Sequence, residues 1–131
     1  MEQVILDTNV LLRFILRDVE GQYQTAKNFF IKARAQKIIL IVPQIVIFEI
    51  VFNLEKYYKF SKSTIIEKIK DLLFSSLEIE DANIFNLAIN IFKDTNLEFV
   101  DSFIIAKSQI KQVPIFTFDK ALKKLEKVAK K

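Results

Sequence analysis

Four acidic residues offer this chain nearly its only route to chemistry. Asp7 interrupts the apolar stretch "VILDTNVLL" (residues 4–12), and Glu49 sits inside "IVIFEIVF" (45–52). Asp101 lies in "FVDSFIIA" (99–106), and Asp119 follows Phe118 in "IFTFDKAL" (115–122). The chain has no His and no Cys. Imidazole and thiolate metal sites, Ser–His–Asp triads, Cys–His pairs and disulfides are therefore excluded. Any metal must be held by oxygen, which favours Mg²⁺, Mn²⁺ or Ca²⁺.

Each acid also has a plainer reading. Asp7, Asp101 and Asp119 all stand where a helix is expected to begin, and Asp is a favoured N-cap that also suits the positive end of the helix dipole. Glu49 is different, because apolar residues flank it on both sides and no Lys or Arg lies between Lys37 and Lys56. A lone buried carboxylate is costly unless paired or coordinated. The expectation is thus one buried acid, Glu49, with three more at helix starts.

The elements that must position these acids follow from periodicity. Residues 3–6, "IILIV" (38–42) and "VPIFTF" (113–118) read as strands, and 77–80 as a short edge strand or a loop. Helices are expected over 9–16, with Thr8 or Asn9 as cap, over 22–35 and from Pro43 to about Tyr58. Thr64 and Glu67 have capping-box spacing ahead of Ile65, Ile66, Ile69, Leu72 and Leu73. Further helices follow Asp81, Asp101 and Asp119. The helix after Pro43 is apolar nearly all round, a pattern that predicts burial on every side, in part by another subunit. Strands alternating with helices predict an α/β domain, a central parallel sheet of about four to five strands with helices on both faces, filling residues 1–131. In such a sheet all carboxyl ends share one edge, where ligands bind. If strands 3–6 and 113–118 are neighbours, Asp7 and Asp119 meet there, and Glu49 and Asp101 can lean over the same edge.

Charge sets the expected partner. The chain carries 20 Lys and Arg against 16 Asp and Glu, a net +4 with pI near 9.2. That balance leans mildly towards an anionic partner. Arg13 and Arg17 lie just beyond Asp7 and are the preferred candidates for phosphate contacts. Lys120, Lys123, Lys124, Lys127, Lys130 and Lys131 crowd the last helix, where a solvated face is the simpler reading. No apolar run reaches the 18 or so residues of a membrane span, and no basic segment precedes an apolar one near the start. No membrane partner and a cytoplasmic location are expected.

Taken in order, "ILDTNVLL", "PQIVIFEIVF", "FVDSFIIA" and "IFTFDKAL" make the chain resemble a PIN-domain ribonuclease of the VapC-like toxin type, along essentially its whole length. The departures are small: Ile105 precedes Ala106, where family members often carry two small residues, and Ser102 follows Asp101, where Ala is common. The resemblance implies endonucleolytic RNA cleavage with one or two Mg²⁺ or Mn²⁺ ions. It makes Asp7 and Asp101 direct ligands, with Glu49 and Asp119 completing the site directly or through water. It gives Thr117 an orienting hydroxyl and Asn9 a possible hydrogen bond to Asp7, besides its capping role. It also implies a homodimer and a cognate antitoxin protein. Two enzyme readings fit less well. A haloacid-dehalogenase-type phosphatase wants a second Asp two residues after the first, where Asn9 stands, and a receiver domain wants paired acids and a late-strand Lys. The remaining alternative is a catalytically silent RNA- or protein-binding module on the same fold.

Overall fold

A computed structural model describes the backbone of residues 1–129 and the side chains through Lys124. The chain forms two compact units, residues 1–82 and 83–131.

The first unit is built on a parallel sheet, β1 (Glu2–Ile5), β2 (Ile38–Val42) and β3 (Glu78–Ile79), in that spatial order. Val4 pairs with Leu40 and Ile41 with Glu78. Between β1 and β2 run α1 (Thr8–Leu16) and α2 (Glu20–Arg34); between β2 and β3 run α3 (Gln44–Lys56) and α4 (Lys62–Leu73). The apolar run at 38–42 becomes the strand expected of it, with Ile38, Leu40 and Val42 buried and Ile39 and Ile41 half-buried. Leu11, Leu40, Ile47, Ile50, Leu54, Ile65 and Ile69 are fully buried. Each such side chain contributes about 1.5–3 kcal/mol relative to exposure.

Two helix starts in this unit differ from the sequence reading. Asp7 itself caps α1, where Thr8 or Asn9 was expected: its side chain accepts the Val10 N–H, and Thr8 is already helical. Ser61, not Thr64, caps α4, accepting the Thr64 N–H at 3.2 Å. Asp81 adopts a left-handed φ of 60° and accepts a hydrogen bond from Gln44 Nε2, which ties the start of α3 to the end of β3. The chain has one glycine, so Arg17 and Gln112 take the left-handed C-cap positions of their helices.

The second unit contains α5 (Ala82–Asp94, beginning at the boundary), α6 (Phe99–Lys111) and α7 (Lys120–Ala129). Phe85 stacks on Phe99 at 6.0 Å and meets Phe103 at 4.9 Å, while Phe92 stands edge-on to Phe99 at 5.5 Å. Aromatic pairs of this kind add stability beyond the area they bury.

The strand expected over 113–118 is absent, and the sheet has three strands among the described residues rather than four to five. The physical reason lies at its start. Val113 donates its N–H to the Ser108 carbonyl, its own carbonyl accepts from the Ser108 hydroxyl, and Pro114 has no N–H to donate. Residues 115–118 stay out of any ladder, with Phe116 and Phe118 packed edge-on against each other at 5.4 Å and both strongly exposed.

Candidate active site

Asp7 stands just past the end of β1, after Leu6, whose N–H donates to the Ile41 carbonyl. Its Oδ1 accepts the Val10 N–H at 3.1 Å and so starts α1. That cap uses one carboxylate oxygen, and the residue is exposed. The cap reading of Asp7 is met, and it is compatible with the other, since a carboxylate that caps with one oxygen has a second oxygen for a cation.

Glu49 corrects the expectation of a buried acid. It is exposed, on the face of α3 opposite Val46, Ile47, Ile50, Val51 and Leu54, which are buried. Helical geometry decides this. Burial along α3 follows a 3.6-residue period although apolarity does not, so Ile45 and Phe52 share the open side with Glu49, 60% and 54% exposed. The helix is therefore not enclosed within the chain on every side, as its composition suggested.

α1 packs against α3. Asp7 and Glu49, far apart in sequence, consequently line one open cavity of about 480 Å³, together with Thr8, Asn9, Leu12, Val46 and Asn53. Leu12 and Val46 are buried members of its wall. Asn9 stands at this cavity beside Asp7. Asn53 was not singled out from sequence. Its Nδ2 donates to the Glu49 carbonyl at 2.7 Å. Its signal was there, as a lone amide four residues after Glu49 in an otherwise apolar run.

The other two acids belong to the second unit. Asp101 is not a cap: α6 starts two residues earlier, with Glu98 at the N-cap position, and Asp101 lies half-buried in its first turn. Burial, and then the charge of Asp119, push its carboxyl above the ordinary Asp range. Asp119 does open α7. Its Oδ1 accepts the N–H of Ala121 at 2.8 Å and of Leu122 at 3.1 Å. Thr117 orients Asp119 through the backbone, its hydroxyl accepting the Asp119 N–H at 3.0 Å. The four acids thus appear as two pairs, one per unit. Within either unit, the described residues gather no three carboxylates that could hold a metal ion.

Both arginines proposed for phosphate have partners within the chain. Arg17 makes a two-pronged bridge to Glu20, at 3.0 and 2.9 Å, and lies 4.2 Å from the Tyr23 ring centroid. This bridge holds Glu20 far down, to about 2, with Gln24 assisting. Arg13 pairs with Asp18 at 3.1 Å and donates to the Tyr58 hydroxyl at 3.2 Å. Lys120, Lys123 and Lys124 are exposed; the side chains of Lys127, Lys130 and Lys131 lie outside the described residues. No helix among the described residues is long and apolar enough to cross a membrane.

The family model described as "PIN domain" matches residues 4–128. A protein named VapC ribonuclease from Aquifex aeolicus (strain VF5) is 31% identical over 125 residues, covering 92% of this chain and 90% of that one. A parallel sheet led by an aspartate, the four acids in order and a match along nearly the whole length converge on one conclusion: the chain belongs to the PIN-domain family, as a VapC-like member.

Proposed function

We propose that the protein is a metal-dependent endoribonuclease and the toxin of a toxin–antitoxin pair, with Asp7, Glu49, Asp101 and Asp119 as the acids that hold Mg²⁺ or Mn²⁺. The observation that carries this reading is the shared cavity of Asp7 and Glu49. Two acids that sequence places on different elements face one solvent-open cleft at the carboxyl end of β1. The similarity to a VapC ribonuclease supports the choice of RNA as substrate.

The donor set fits the ion. All four groups are carboxylates, the hard oxygen ligands that Mg²⁺ and Mn²⁺ prefer. Burial and then the charge of Asp119 already disfavour the ionised form of Asp101, which a cation relieves. When bound, such a cation supplies a nucleophilic hydroxide at neutral pH and neutralises charge on the phosphodiester. The chain's own part is positional. Asp7 is held by its cap, Glu49 by α3, Asp101 by the first turn of α6, and Asp119 by its cap and Thr117. Setting the four acids aside leaves 20 basic against 12 acidic residues, a surplus suited to the RNA backbone.

Incubating the protein with RNA and Mg²⁺ or Mn²⁺ tests the reading, with EDTA and Asp7→Asn as controls. Cleavage that survives either control overturns it. A homodimer belongs to the same proposal. Ile45 and Phe52 on α3 are apolar side chains left in solvent, and a second copy or the antitoxin covers such surface. Light scattering that finds a clean monomer at tens of micromolar counts against the dimer.

A further inference from the structure

We propose that Arg13 is a positioning residue that works through Tyr58 to fix Asp7 relative to Glu49. The inference rests on the ribonuclease reading, because it concerns the two acids assigned there. Arg13 lies in the last turn of α1, the helix that Asp7 caps. Its Nη2 donates to the Tyr58 hydroxyl at 3.2 Å, and its Nη1 pairs with Asp18 at 3.1 Å. Tyr58 follows α3, and its N–H donates to the Asn53 carbonyl at 3.1 Å. The Asn53 amide then donates to the Glu49 carbonyl and stands in the cavity that Asp7 and Glu49 share. A run of hydrogen bonds therefore joins the far end of α1 to the wall of the cleft formed at its near end.

Apolar contact between α1 and α3 is non-directional and permits sliding. Hydrogen bonds fix direction as well as distance. A planar guanidinium can hold Asp18 and Tyr58 together, whereas an ammonium on a flexible stem cannot reproduce that fork. Two features set Arg13 apart from a phosphate contact. Its side chain is only 22% exposed. Its Nε is buried without a hydrogen-bond partner, a destabilising feature in a group kept for stability alone. The same side chain borders a second cavity of about 610 Å³, which Asp7 and Asn9 also line. Arg13 thus holds the far end of the helix whose near end carries Asp7 and Asn9, residues that line both cavities.

The test uses the full chain and the variants Tyr58→Phe, Arg13→Lys and Arg13→Gln. Three quantities are measured: Mn²⁺ binding from the electron paramagnetic resonance of free Mn²⁺, kcat and KM on RNA, and melting in EDTA. Tyr58→Phe is the mild variant, because its ring remains and only the hydroxyl is lost. Tyr58→Phe and Arg13→Lys are expected to weaken Mn²⁺ binding about tenfold, in the range typical of groups that orient metal ligands. They should lower kcat while KM stays within about twofold, with Tyr58→Phe melting like wild type. The inference is overturned if Tyr58→Phe binds Mn²⁺ and cleaves like wild type while Arg13→Gln raises KM and reduces the salt slope by about one, the signature of a phosphate contact. A wild type that binds no Mn²⁺ and cuts no RNA overturns the ribonuclease reading as well. Variants matching a wild type that does both remove this inference alone.

Discussion

Asp7 carries two roles that substitution can separate. Its Oδ1 accepts the Val10 N–H at 3.1 Å and starts a helix whose Leu11 and Leu12 are buried, so losing the cap is felt by the folded unit. Asp7→Ala removes the acceptor and should cost about 1 kcal/mol, within the usual range for N-caps. For a chain of this size that lowers Tm by about 4 °C. Asp7→Asn keeps an acceptor oxygen and caps about as well as Asp. It gives up the charge at the positive end of α1, worth a few tenths of a kcal/mol on an exposed site, and should melt within about 2 °C of wild type. Cleavage should separate differently. Both variants lose a negatively charged cation ligand, so both should lose at least about a hundredfold in rate, no less than loss of a group supporting the ligands. The assay pairs calorimetry in EDTA with RNA cleavage in Mn²⁺. If Asp7→Asn cleaves at the wild-type rate, Asp7 is a cap only and the metal role is wrong. If Asp7→Asn melts as low as Asp7→Ala, the hydrogen bond to Val10 is not what holds the start of α1.

Three further outcomes are expected. Asp101 is held above its ordinary range by burial and by Asp119, so its ionisation at neutral pH destabilises the metal-free fold, and stability from this group rises as pH falls from its raised value towards the usual one near 3.8. Asp101→Asn should therefore melt higher than wild type in EDTA at pH 7, by up to about 1 kcal/mol for a partly exposed pair, and gain less from millimolar Mn²⁺; equal melting and equal Mn²⁺ gains in calorimetry would refute both effects. Glu20 is held to about 2 by Arg17, so the stability it gives is full above its ordinary value of 4.5 and fades as pH falls towards 2. Glu20→Gln should flatten the acid limb of a circular-dichroism stability curve below pH 4.5 and leave neutral cleavage unchanged. Ile50 is fully buried on α3 beside Glu49, and Ile50→Ala should cost about 2–5 kcal/mol in urea titrations, whereas Ile45→Ala on the open side should cost under about 1 kcal/mol.

The sequence alone determined the elements whose signals are local. Strand 38–42 was legible because five consecutive large aliphatic residues have few other uses, and α4 and α5 because their apolar residues recur at helical period. The four acids were legible as a set because a chain without His or Cys has few other groups for chemistry. Local competition was harder to read. Ser61 took the cap expected of Thr64, and Asp7 took the one expected of Thr8 or Asn9, since several good caps stood close together and backbone geometry chose among them. Only tertiary structure decided the rest. Glu49 sits in an apolar sequence yet faces solvent, because packing of α3 selects one face of a helix and composition does not say which. The stretch 113–118 has strand composition but joins no ladder, because Ser108 has taken the backbone groups of Val113 and Pro114 offers no donor. The meeting of Asp7 with Glu49, and the line from Arg13 through Tyr58 and Asn53, depend on how α1 lies against α3. No residue spacing encodes that placement, because it is set by the summed packing of side chains distant in sequence.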